Sequence, residues 1–234
     1  MAIKLTTTRQ EAQSNGIKVL VYGQAGMGKT TLVSTVPDHT KALVISAESG
    51  LLSLADTDIA VAKVESLNDL KEIYDWLINT EEGKSFEWIC IDSLSEIAEL
   101  SLSFEKDRAG KDKRAAYVPM QEVVEGMIKS FRDLPRNIYM TCKLDDTYQD
   151  DAGRIMKRPM LVGRKLPVNV SYLFDEVFFL TEGRDAEGNS YRFLQTQPDH
   201  KTYAKDRSGK LDAAEYPSLA NIASKILNQT NETE

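Results

Sequence analysis

The stretch from Ile17 to Thr30 reads IKVLVYGQAGMGKT and is the most informative part of the 234-residue sequence. Its first six residues are mostly apolar and predict a buried β-strand. The next eight fit the pattern G-x-x-x-x-G-K-[ST]. A helix is predicted from Lys29 to Val36, because Pro37 cannot continue one. A strand, a glycine-rich loop and a helix in this order predict a phosphate-binding cradle of backbone N–H groups.

The cradle assigns roles to individual side chains. Lys29 is expected to reach the β- and γ-phosphates of a nucleotide, and the Thr30 hydroxyl is expected to bind Mg²⁺. The candidate nucleotide-binding residues are Gly23, Gln24, Ala25, Gly26, Met27, Gly28, Lys29, Thr30 and Thr31.

Outside the cradle, short apolar segments alternate with amphipathic ones as far as about residue 142. The amphipathic segments are long enough to form crossover helices, which implies a mainly parallel sheet flanked by helices. Ser66 and Asp69 predict a capping box before one of these helices. The sequence therefore predicts an α/β fold of the P-loop NTPase class. Strands are predicted at 42–46, 59–62, 86–91 and 138–142, and helices at 67–79, around 94–104 and around 123–134.

The last third of the chain has a different pattern. Residues 175–181 and 191–197 flank a glycine-containing turn at 183–188 and predict a β-hairpin extension, and a short amphipathic helix follows around 219–227. We expect an N-terminal arm over residues 1–16, a single α/β domain over 17–228 and a frayed tail over 229–234.

The composition excludes several classes of protein. No apolar run approaches the length of a membrane span, and the first residues contain no apolar signal segment. Two cysteines and two histidines argue against a disulfide framework and a zinc cluster. We therefore expect a soluble cytoplasmic protein with no membrane partner. The net charge of −7 argues against coating a polyanion with the whole surface, but it leaves room for a local basic groove.

Two carboxylates follow predicted strands. Asp92 ends an apolar strand, where an acid beside a phosphate cradle is the usual partner of Mg²⁺. Glu48 follows the strand at 42–46, where a carboxylate can polarise the water that attacks a γ-phosphate. The alternative for Glu48 is that it caps the segment beginning at Ser49.

Taken in order, these residues resemble the core of RecA-type recombinases and helicases. Residues 23–30 match the first phosphate motif of that family, and residues 44–49 resemble its strand that ends in the catalytic glutamate. Residues 90–93 (CIDS) resemble its metal-binding strand, and residues 163–175 are similar to the segment after its mobile DNA loop. Residues 205–209 (KDRSG) resemble the Lys-x-Arg-x-Gly element that the family inserts into a neighbour's nucleotide site.

The resemblance covers about residues 17–210 and is greatest to compact phage-encoded RecA-like ATPases, some of which are single-strand annealing proteins. It implies a RecA-like fold, ATP and Mg²⁺ as cofactors, a homo-oligomeric ring or filament, and single-stranded DNA as partner in the host-cell cytoplasm. A single-strand-binding protein is a further candidate partner. The resemblance also implies that Lys205 and Arg207 stabilise transition-state charge in a neighbouring subunit; the alternative is a solvated hairpin tip.

Two features depart from the RecA pattern. Where that family ends a strand with glutamine, this sequence has Thr141-Cys142-Lys143, so Lys143 is the candidate sensor of the γ-phosphate. The N-terminal oligomerisation region is shortened to about sixteen residues, which leaves both ring and filament open.

Two basic intervals are candidates for DNA contact. Both follow strands whose ends are expected at the ligand-binding edge of the sheet, and Tyr117 and Tyr148 lie near enough in sequence to stack on bases. Each interval also has acidic neighbours, so an ordinary solvated loop is the alternative. The candidate DNA-binding residues are Lys111, Lys113 and Arg114 in the first interval, and Arg154, Lys157 and Arg158 in the second.

The favoured interpretation is a Mg²⁺-dependent ATPase, slow as an isolated monomer, that assembles on single-stranded DNA in phage recombination or annealing. Two alternatives stay open. One is an ATP-driven motor or loader that acts on a protein such as a helicase and has no DNA affinity of its own. The other is a small-molecule kinase built on the same phosphate cradle.

Overall fold

A computed structural model describes residues 5–48 and 50–227, so the whole predicted tail and the first four residues of the predicted arm lie outside the described residues. The strands are β1 (Lys18–Gly23), β2 (Ala42–Ser46), β3 (Ala60–Lys63), β4 (Trp88–Asp92), β5 (Asn137–Gln149), β6 (Ile155–Met160), β7 (Glu176–Arg184), β8 (Ser190–Gln195), β9 (Lys205–Asp206) and β10 (Ala214–Glu215). The α-helices are α1 (Thr8–Asn15), α2 (Leu67–Asn79), α3 (Glu81–Lys84), α4 (Leu94–Arg108), α5 (Tyr117–Arg132), α6 (Leu166–Leu173) and α7 (Leu219–Leu227).

The strands form one ten-stranded sheet in the order β10-β8-β7-β1-β5-β4-β2-β3, with β6 attached to β5 and β9 attached to β7. All pairs from β7 to β3 along this order are parallel, whereas β6, β8, β9 and β10 pair antiparallel to their neighbours. The predicted α/β fold with a mainly parallel sheet and a C-terminal hairpin is therefore confirmed. No helix in the described part of the chain is long and apolar enough to cross a membrane.

Strand β1 shows why its sequence is apolar almost throughout. Leu20 and Tyr22 pack into the core cluster that includes α2, α4, α5 and α6, while Val19 and Val21 pack into the cluster on the other face with α7. Alternate side chains of a strand point to opposite faces, so a strand covered on both sides needs apolar residues at every position.

The segment after the phosphate loop differs from the prediction. Instead of an α-helix from residue 29 to 36, a 3-10 helix spans Thr31–Thr35. The hydroxyls of Ser34 and Thr35 donate to backbone carbonyls three residues earlier, at 2.7 and 2.6 Å, and such bonds compete with α-helical pairing. Pro37 ends the segment, and a segment this short is not stabilised as an α-helix by its length. To attract an anion, the loop therefore depends on its own N–H groups more than on a helix dipole.

The predicted capping box of Ser66 and Asp69 is confirmed at the start of α2.

Two segments contain more regular structure than predicted. The predicted arm contains α1, whose own capping box is formed by Thr7 and Gln10. Strand β5 continues to Gln149 and pairs with β6, although the prediction ended it at Cys142. Most of the added residues, 143–149, are polar and all are half-buried or exposed, so hydrophobicity could not reveal them.

Two carboxylates meet where β9 pairs with the start of β7. Glu176, only 2% exposed, lies opposite Asp206. Asp206 accepts hydrogen bonds from the Ser208 hydroxyl at 2.6 Å and from the backbone of Gly209 and Leu211 at 3.0 and 3.1 Å, so it organises the turn after β9. Burial, reinforced by the adjacent Asp206 carboxylate, raises the pKa of Glu176 to about 8. No donor faces Oε2 of Glu176, and a proton on this carboxyl lets it donate to Asp206.

This pair predicts a pH-dependent term in stability. The unfolded chain releases the Glu176 proton near pH 4.5, whereas the folded chain keeps it to about pH 8. The unfolded state therefore binds fewer protons in this window, and the contribution of Glu176 to the free energy of unfolding falls as pH rises through about 8. We expect Glu176→Gln to remove this fall, so that the variant gains stability relative to wild type between pH 5 and pH 9 in urea unfolding. Glu182→Gln, at an exposed position of the same strand, is the control. A wild-type-to-variant difference that is constant with pH would contradict the assignment.

Candidate functional site

The phosphate loop follows β1, at the carboxyl edge of the parallel strands. Gly26 and Gly28 have φ of 76° and 100°, in the left-handed region that favours glycine. Gly23 lies against β7, because a Cβ at this position would be 2.6 Å from the carbonyl oxygen of Leu180. The loop and neighbouring strand ends surround a cavity of about 650 Å³. All the predicted nucleotide-binding residues line it except Met27, which lies on an adjoining groove.

Lys29 bends back over the loop. Its Nζ donates to the carbonyl oxygens of Gly23 at 2.8 Å and Gln24 at 2.9 Å. Burial lowers the pKa of Lys29, while the nearby carboxylates of Asp92 and Glu48 act in the opposite direction. The hydroxyl of Tyr139 on β5 donates to the Lys29 carbonyl at 2.7 Å and ties the loop to the sheet. A cation held in this way can meet an anion at the centre of the loop.

Asp92 connects the loop to two strands. The hydroxyl of Thr30 donates to its Oδ2 at 2.6 Å, and the hydroxyl of Thr141 on β5 donates to its Oδ1. Asp92 is only 4% exposed, and a buried carboxylate requires such partners. The structure thus brings together the two residues predicted to bind metal. Thr30 and Asp92 supply oxygen ligands of the kind Mg²⁺ takes beside phosphate oxygens and water. No group of three His, Cys, Asp or Glu side chains that could hold a metal by itself occurs within residues 5–48 and 50–227.

Glu48 lies on the same cavity, just beyond β2. Its Oε1 accepts a hydrogen bond from the Ser93 hydroxyl at 2.5 Å. Its backbone N–H and that of Ala47 donate to the carbonyl oxygen of Asp92 at 3.3 and 2.8 Å. The ends of β2 and β4 are therefore locked together, and the carboxylate of Glu48 is oriented by a fixed donor. Sequence reasoning assigned no role to Ser93, Thr141 or Tyr139, because each acts through a contact between distant segments.

Lys143 also lines the cavity. Its ammonium forms an ion pair with Glu96 and lies 3.7 Å from Glu99, both on α4. The hydrogen bond that Lys143 donates to the Glu96 carboxylate raises the pKa of Lys143, so this side chain stays protonated. The candidate sensor is thus within the site and is held by acids of the helix that follows Asp92.

Lys205 and Arg207 lie near the amino ends of the parallel strands, opposite the ends that carry the phosphate loop. Strand β9 pairs with the first residues of β7, which lie beside Val19 of β1, whereas the phosphate loop begins at Gly23. Val19 and Gly23 are four residues apart along β1, so β9 and the start of the loop are separated by roughly 13 Å along the strands. Lys205 donates to the carbonyl oxygen of Ser171 at 2.8 Å, and Arg207 pairs with Asp175 at 2.6 Å with its side chain 61% exposed. Neither residue lines the phosphate cavity of its own chain.

The second basic interval is largely paired with acids. Arg158 forms an ion pair with Asp145 at 2.9 Å and stacks on Tyr148 with its guanidinium 3.6 Å from the ring centre. Arg154 pairs with Asp150 at 2.7 Å. The Lys157 ammonium lies over Phe179, 4.9 Å from the ring centre. The interval predicted as a loop is instead strand β6 of a hairpin with β5.

The first interval has more available charge. Lys113 donates to the carbonyl oxygen of Lys106 at 2.7 Å. Lys111 and Arg114 are exposed and have no carboxylate partner among the described residues. The Lys106 ammonium lies 5.9 Å from the centre of the Tyr117 ring.

The same tyrosine links the two intervals. A Cβ on Gly163 would lie 3.9 Å from the Tyr117 ring, so the segment carrying Arg164 and Lys165 packs beside it. Tyr117, whose surface is 41% exposed, therefore has the Lys106 ammonium over its ring and the segment that begins at Gly163 packed beside it.

Comparisons with known proteins agree with this site. The sequence matches a family described as an AAA domain over residues 15–208. No curated protein sequence gives a significant match. One similar solved structure is the KaiC-like protein PH0186 from the hyperthermophilic archaeon Pyrococcus horikoshii OT3, with TM-score 0.47 and 15% identity over 77% of each chain.

A second is a prototypical ATPase from the type III secretion system of pathogenic bacteria, with TM-score 0.46 and 17% identity. That match covers 71% of this chain and 52% of the other, so the chain spans about half the length of that protein. The family match extends over well more than half of the 234 residues and includes the phosphate loop, Glu48 and Asp92. The chain therefore belongs to the AAA domain family and is a P-loop ATPase.

Proposed function

We propose that this protein is a Mg²⁺-dependent ATPase that assembles into a homo-oligomer on single-stranded DNA and acts in phage recombination or annealing. The observation that carries the proposal is the division of the site between two edges of the sheet. Thr30, Asp92 and Glu48 share one cavity, whereas Lys205 and Arg207 lie at the opposite edge. A second copy would have to bring these cations to the phosphates.

The residues of the cavity suit hydrolysis of a γ-phosphate. Loop N–H groups and Lys29 would bind the phosphates, and Thr30 and Asp92 would hold Mg²⁺. Bound Mg²⁺ would neutralise charge on the phosphate oxygens. Glu48, oriented by Ser93, would accept a proton from the attacking water. Lys143 would contact the γ-phosphate and exchange its bond to Glu96 for that contact.

The environment of Tyr117 supports contact with single-stranded DNA. A half-exposed aromatic ring with cations around it combines base stacking with phosphate attraction. The Lys106 ammonium lies over this ring, the exposed Lys111 and Arg114 precede it in the chain, and Arg164 and Lys165 follow Gly163, which packs against it. We assign the main DNA contact to these residues rather than to Arg154 and Arg158. The assignment to phage recombination or annealing rests on the resemblance to compact phage-encoded ATPases.

One observation favours a second candidate function. The ion pairs of Arg154 and Arg158 with acids reduce the charge that the β5–β6 hairpin offers to a polyanion. A motor or loader that acts on a protein partner would need no such charge. The kinase alternative has less support, because Lys205 and Arg207 do not close over the cavity of their own chain.

The first prediction concerns the orientation of Glu48. We expect Ser93→Ala to lower kcat for ATP hydrolysis about ten- to a hundredfold with little change in KM, because a bond to a charged group worth roughly 1.5–3 kcal/mol is lost. Ser93→Thr keeps the hydroxyl and should retain activity. If Ser93→Ala lowers kcat equally in a Glu48→Gln background, Ser93 does not act through Glu48.

The second prediction tests cations supplied by a neighbour. Arg207→Ala should bind ATP but lose a factor of about 10³–10⁵ in turnover, as other supplied arginines do. Lys29→Ala should lose nucleotide binding. When these two inactive variants are mixed in equal amounts, the mixture should reach about a quarter of the wild-type rate. In a random head-to-tail assembly, about a quarter of the interfaces join an intact phosphate loop to an intact Arg207. Arg184→Ala, at an exposed position, is the control for loss of an arginine. A mixture no more active than its components would contradict action in trans.

The third prediction tests DNA binding together with the overall proposal. Single-stranded DNA should stimulate ATP hydrolysis and increase the assembly mass, measured by light scattering. Lys111→Glu with Arg114→Glu should weaken DNA binding and make the slope of log K against log[salt] shallower by about 1–2, since about 0.7 is lost per phosphate contact on single strands. Lys63→Glu with Lys71→Glu is the charge-matched control.

Other outcomes point to the other candidates. Stable assembly without stimulation by DNA would favour the protein-partner motor, and monomeric phosphotransfer to a small acceptor would favour the kinase. A Lys157→Glu, Arg158→Glu variant that binds DNA like wild type would agree with the assignment of contact to the Tyr117 region.

A further inference from the structure

A cavity of about 620 Å³ lies at the amino ends of the parallel strands. We call it the arm cavity, because α1 of the predicted arm forms one of its walls; the start of β7, the turn after β9 and the end of α7 form the others. Its apolar lining includes Ala12, Ile17, Ile226 and Leu227, and Arg207 lines the same cavity. The residue that the proposed function directs to a neighbouring copy therefore lies beside an apolar hollow.

An exposed apolar side chain lies at the rim of the phosphate cavity. Leu52 is 89% exposed and stands between Gly50 and Ser53, both of which line that cavity. It begins a short 3-10 helix, and the buried side chain of Leu54 anchors this helix in the core. We call residues 50–54 the Leu52 turn. An apolar side chain on an anchored turn loses little conformational freedom when a partner covers it.

One chain cannot bring its own Leu52 into its own arm cavity. Along β1, the arm cavity begins at Ile17 and the phosphate loop at Gly23, which are roughly 20 Å apart in an extended strand. Strand β2, which leads to the Leu52 turn, is separated from β7 by β1, β5 and β4. At about 4.8 Å for each strand spacing, this adds roughly 19 Å across the sheet. A contact between the two features therefore requires two copies.

The proposed function would bring the two features together. It requires Arg207 of one copy to reach the phosphates held by the next copy. Arg207 lines the arm cavity, whereas Gly50 and Ser53 line the phosphate cavity. When Arg207 faces the phosphate cavity of the next copy, the arm cavity therefore faces the Leu52 turn of that copy. A leucine side chain that enters the hollow leaves water for an apolar lining, which favours association.

The charges around the two features are complementary. Asp56 and Asp58 follow the Leu52 turn, are exposed and form no ion pair with any described residue. Glu176 lines the arm cavity but keeps its proton to about pH 8, so it adds no charge at neutral pH. Opposite charges favour one orientation of two surfaces. The cations of the arm cavity outnumber its ionised carboxylates: they are Arg9, Arg207 and Lys210, against Glu11 and Asp175.

We propose that the Leu52 turn of one copy inserts into the arm cavity of the next and forms the head-to-tail contact between subunits. This assignment rests on the proposed function, in which Arg207 acts in a neighbouring copy. The two surfaces differ from each other, so the contact repeats around a ring or along a filament. It also gives α1 a role in assembly, because Ala12 is part of the wall that receives Leu52.

Cross-linking tests which surfaces meet. Cys90 and Cys142 are buried, so thiols introduced at the surface react selectively with a short bismaleimide. We expect a chain with both Leu52→Cys and Ala12→Cys to give a ladder of covalent oligomers, and an equal mixture of the two single variants to give covalent dimers only. Phe104→Cys with Ala12→Cys is the control, because Phe104 is 52% exposed on α4 and lines neither cavity. A Leu52→Cys, Ala12→Cys chain that stays at monomer mass would overturn the contact.

A substitution separates the contact from the ATPase proposal. Leu52→Asp should weaken assembly at least about tenfold, as loss of a central interface residue does, and should lower turnover to the same extent. Nucleotide binding measured by calorimetry should stay at the wild-type level, because the phosphate loop is intact. Phe104→Asp should assemble and turn over like wild type.

The outcomes distinguish the two proposals. If Leu52→Asp assembles and hydrolyses ATP like wild type while Arg207→Ala is inactive, the contact is wrong and the proposed function stands. If the wild-type protein does not assemble, or if Arg207→Ala hydrolyses ATP normally, both proposals fail.

Discussion

The hydrogen-bonded carboxylate of Asp92 holds the site together. It receives the hydroxyl of Thr30 from the loop after β1 and the hydroxyl of Thr141 from β5, and its own carbonyl oxygen receives the backbone N–H groups of Ala47 and Glu48 after β2. The ends of four parallel strands therefore meet at one buried residue. A carboxylate with so little water around it needs every one of its oxygens satisfied, and this requirement positions the loop, the candidate metal ligands and Glu48 together.

The sheet also explains why the candidate catalytic residues lie in two separate places. All its parallel strands end at the edge that carries the phosphate loop, and ligands of open α/β sheets bind at that edge. The Lys205–Arg207 segment pairs with the beginning of β7 instead, and there the protonated Glu176 and the ionised Asp206 shape the turn that presents Arg207. A chain folded in this way cannot bring its own Arg207 to its own loop without dismantling β9.

Ion pairs show which basic side chains are available to a ligand. Arg158 and Arg154 of the β5–β6 hairpin are paired with Asp145 and Asp150, whereas Lys106 over Tyr117 and the exposed Lys111 and Arg114 have no carboxylate partner among the described residues. Arg192 is a further uncompensated cation, directed at Gly28 rather than at Glu182. Positions in the sequence showed where positive charge is dense, but only the contacts show where it is available to a ligand.

The class of fold and the phosphate loop could be predicted from the amino-acid order, because both depend on local patterns: apolar strands, amphipathic helices of crossover length, and glycines spaced before Lys29 and Thr30. It also located Asp92 and Glu48, since acids that end apolar strands of a parallel sheet must gather at one edge. The predicted α-helix after the loop was wrong, because local hydroxyl hydrogen bonds and Pro37 favour a short 3-10 helix there.

Which side chains orient these acids, and which cation faces the loop, could be seen only in the folded structure. Ser93, Thr141 and Arg192 contact neighbours that are 45 to 164 residues away in the chain, such as Glu48 for Ser93 and Gly28 for Arg192. No periodicity or motif encodes such meetings, because strand order and register bring them about after the chain has folded.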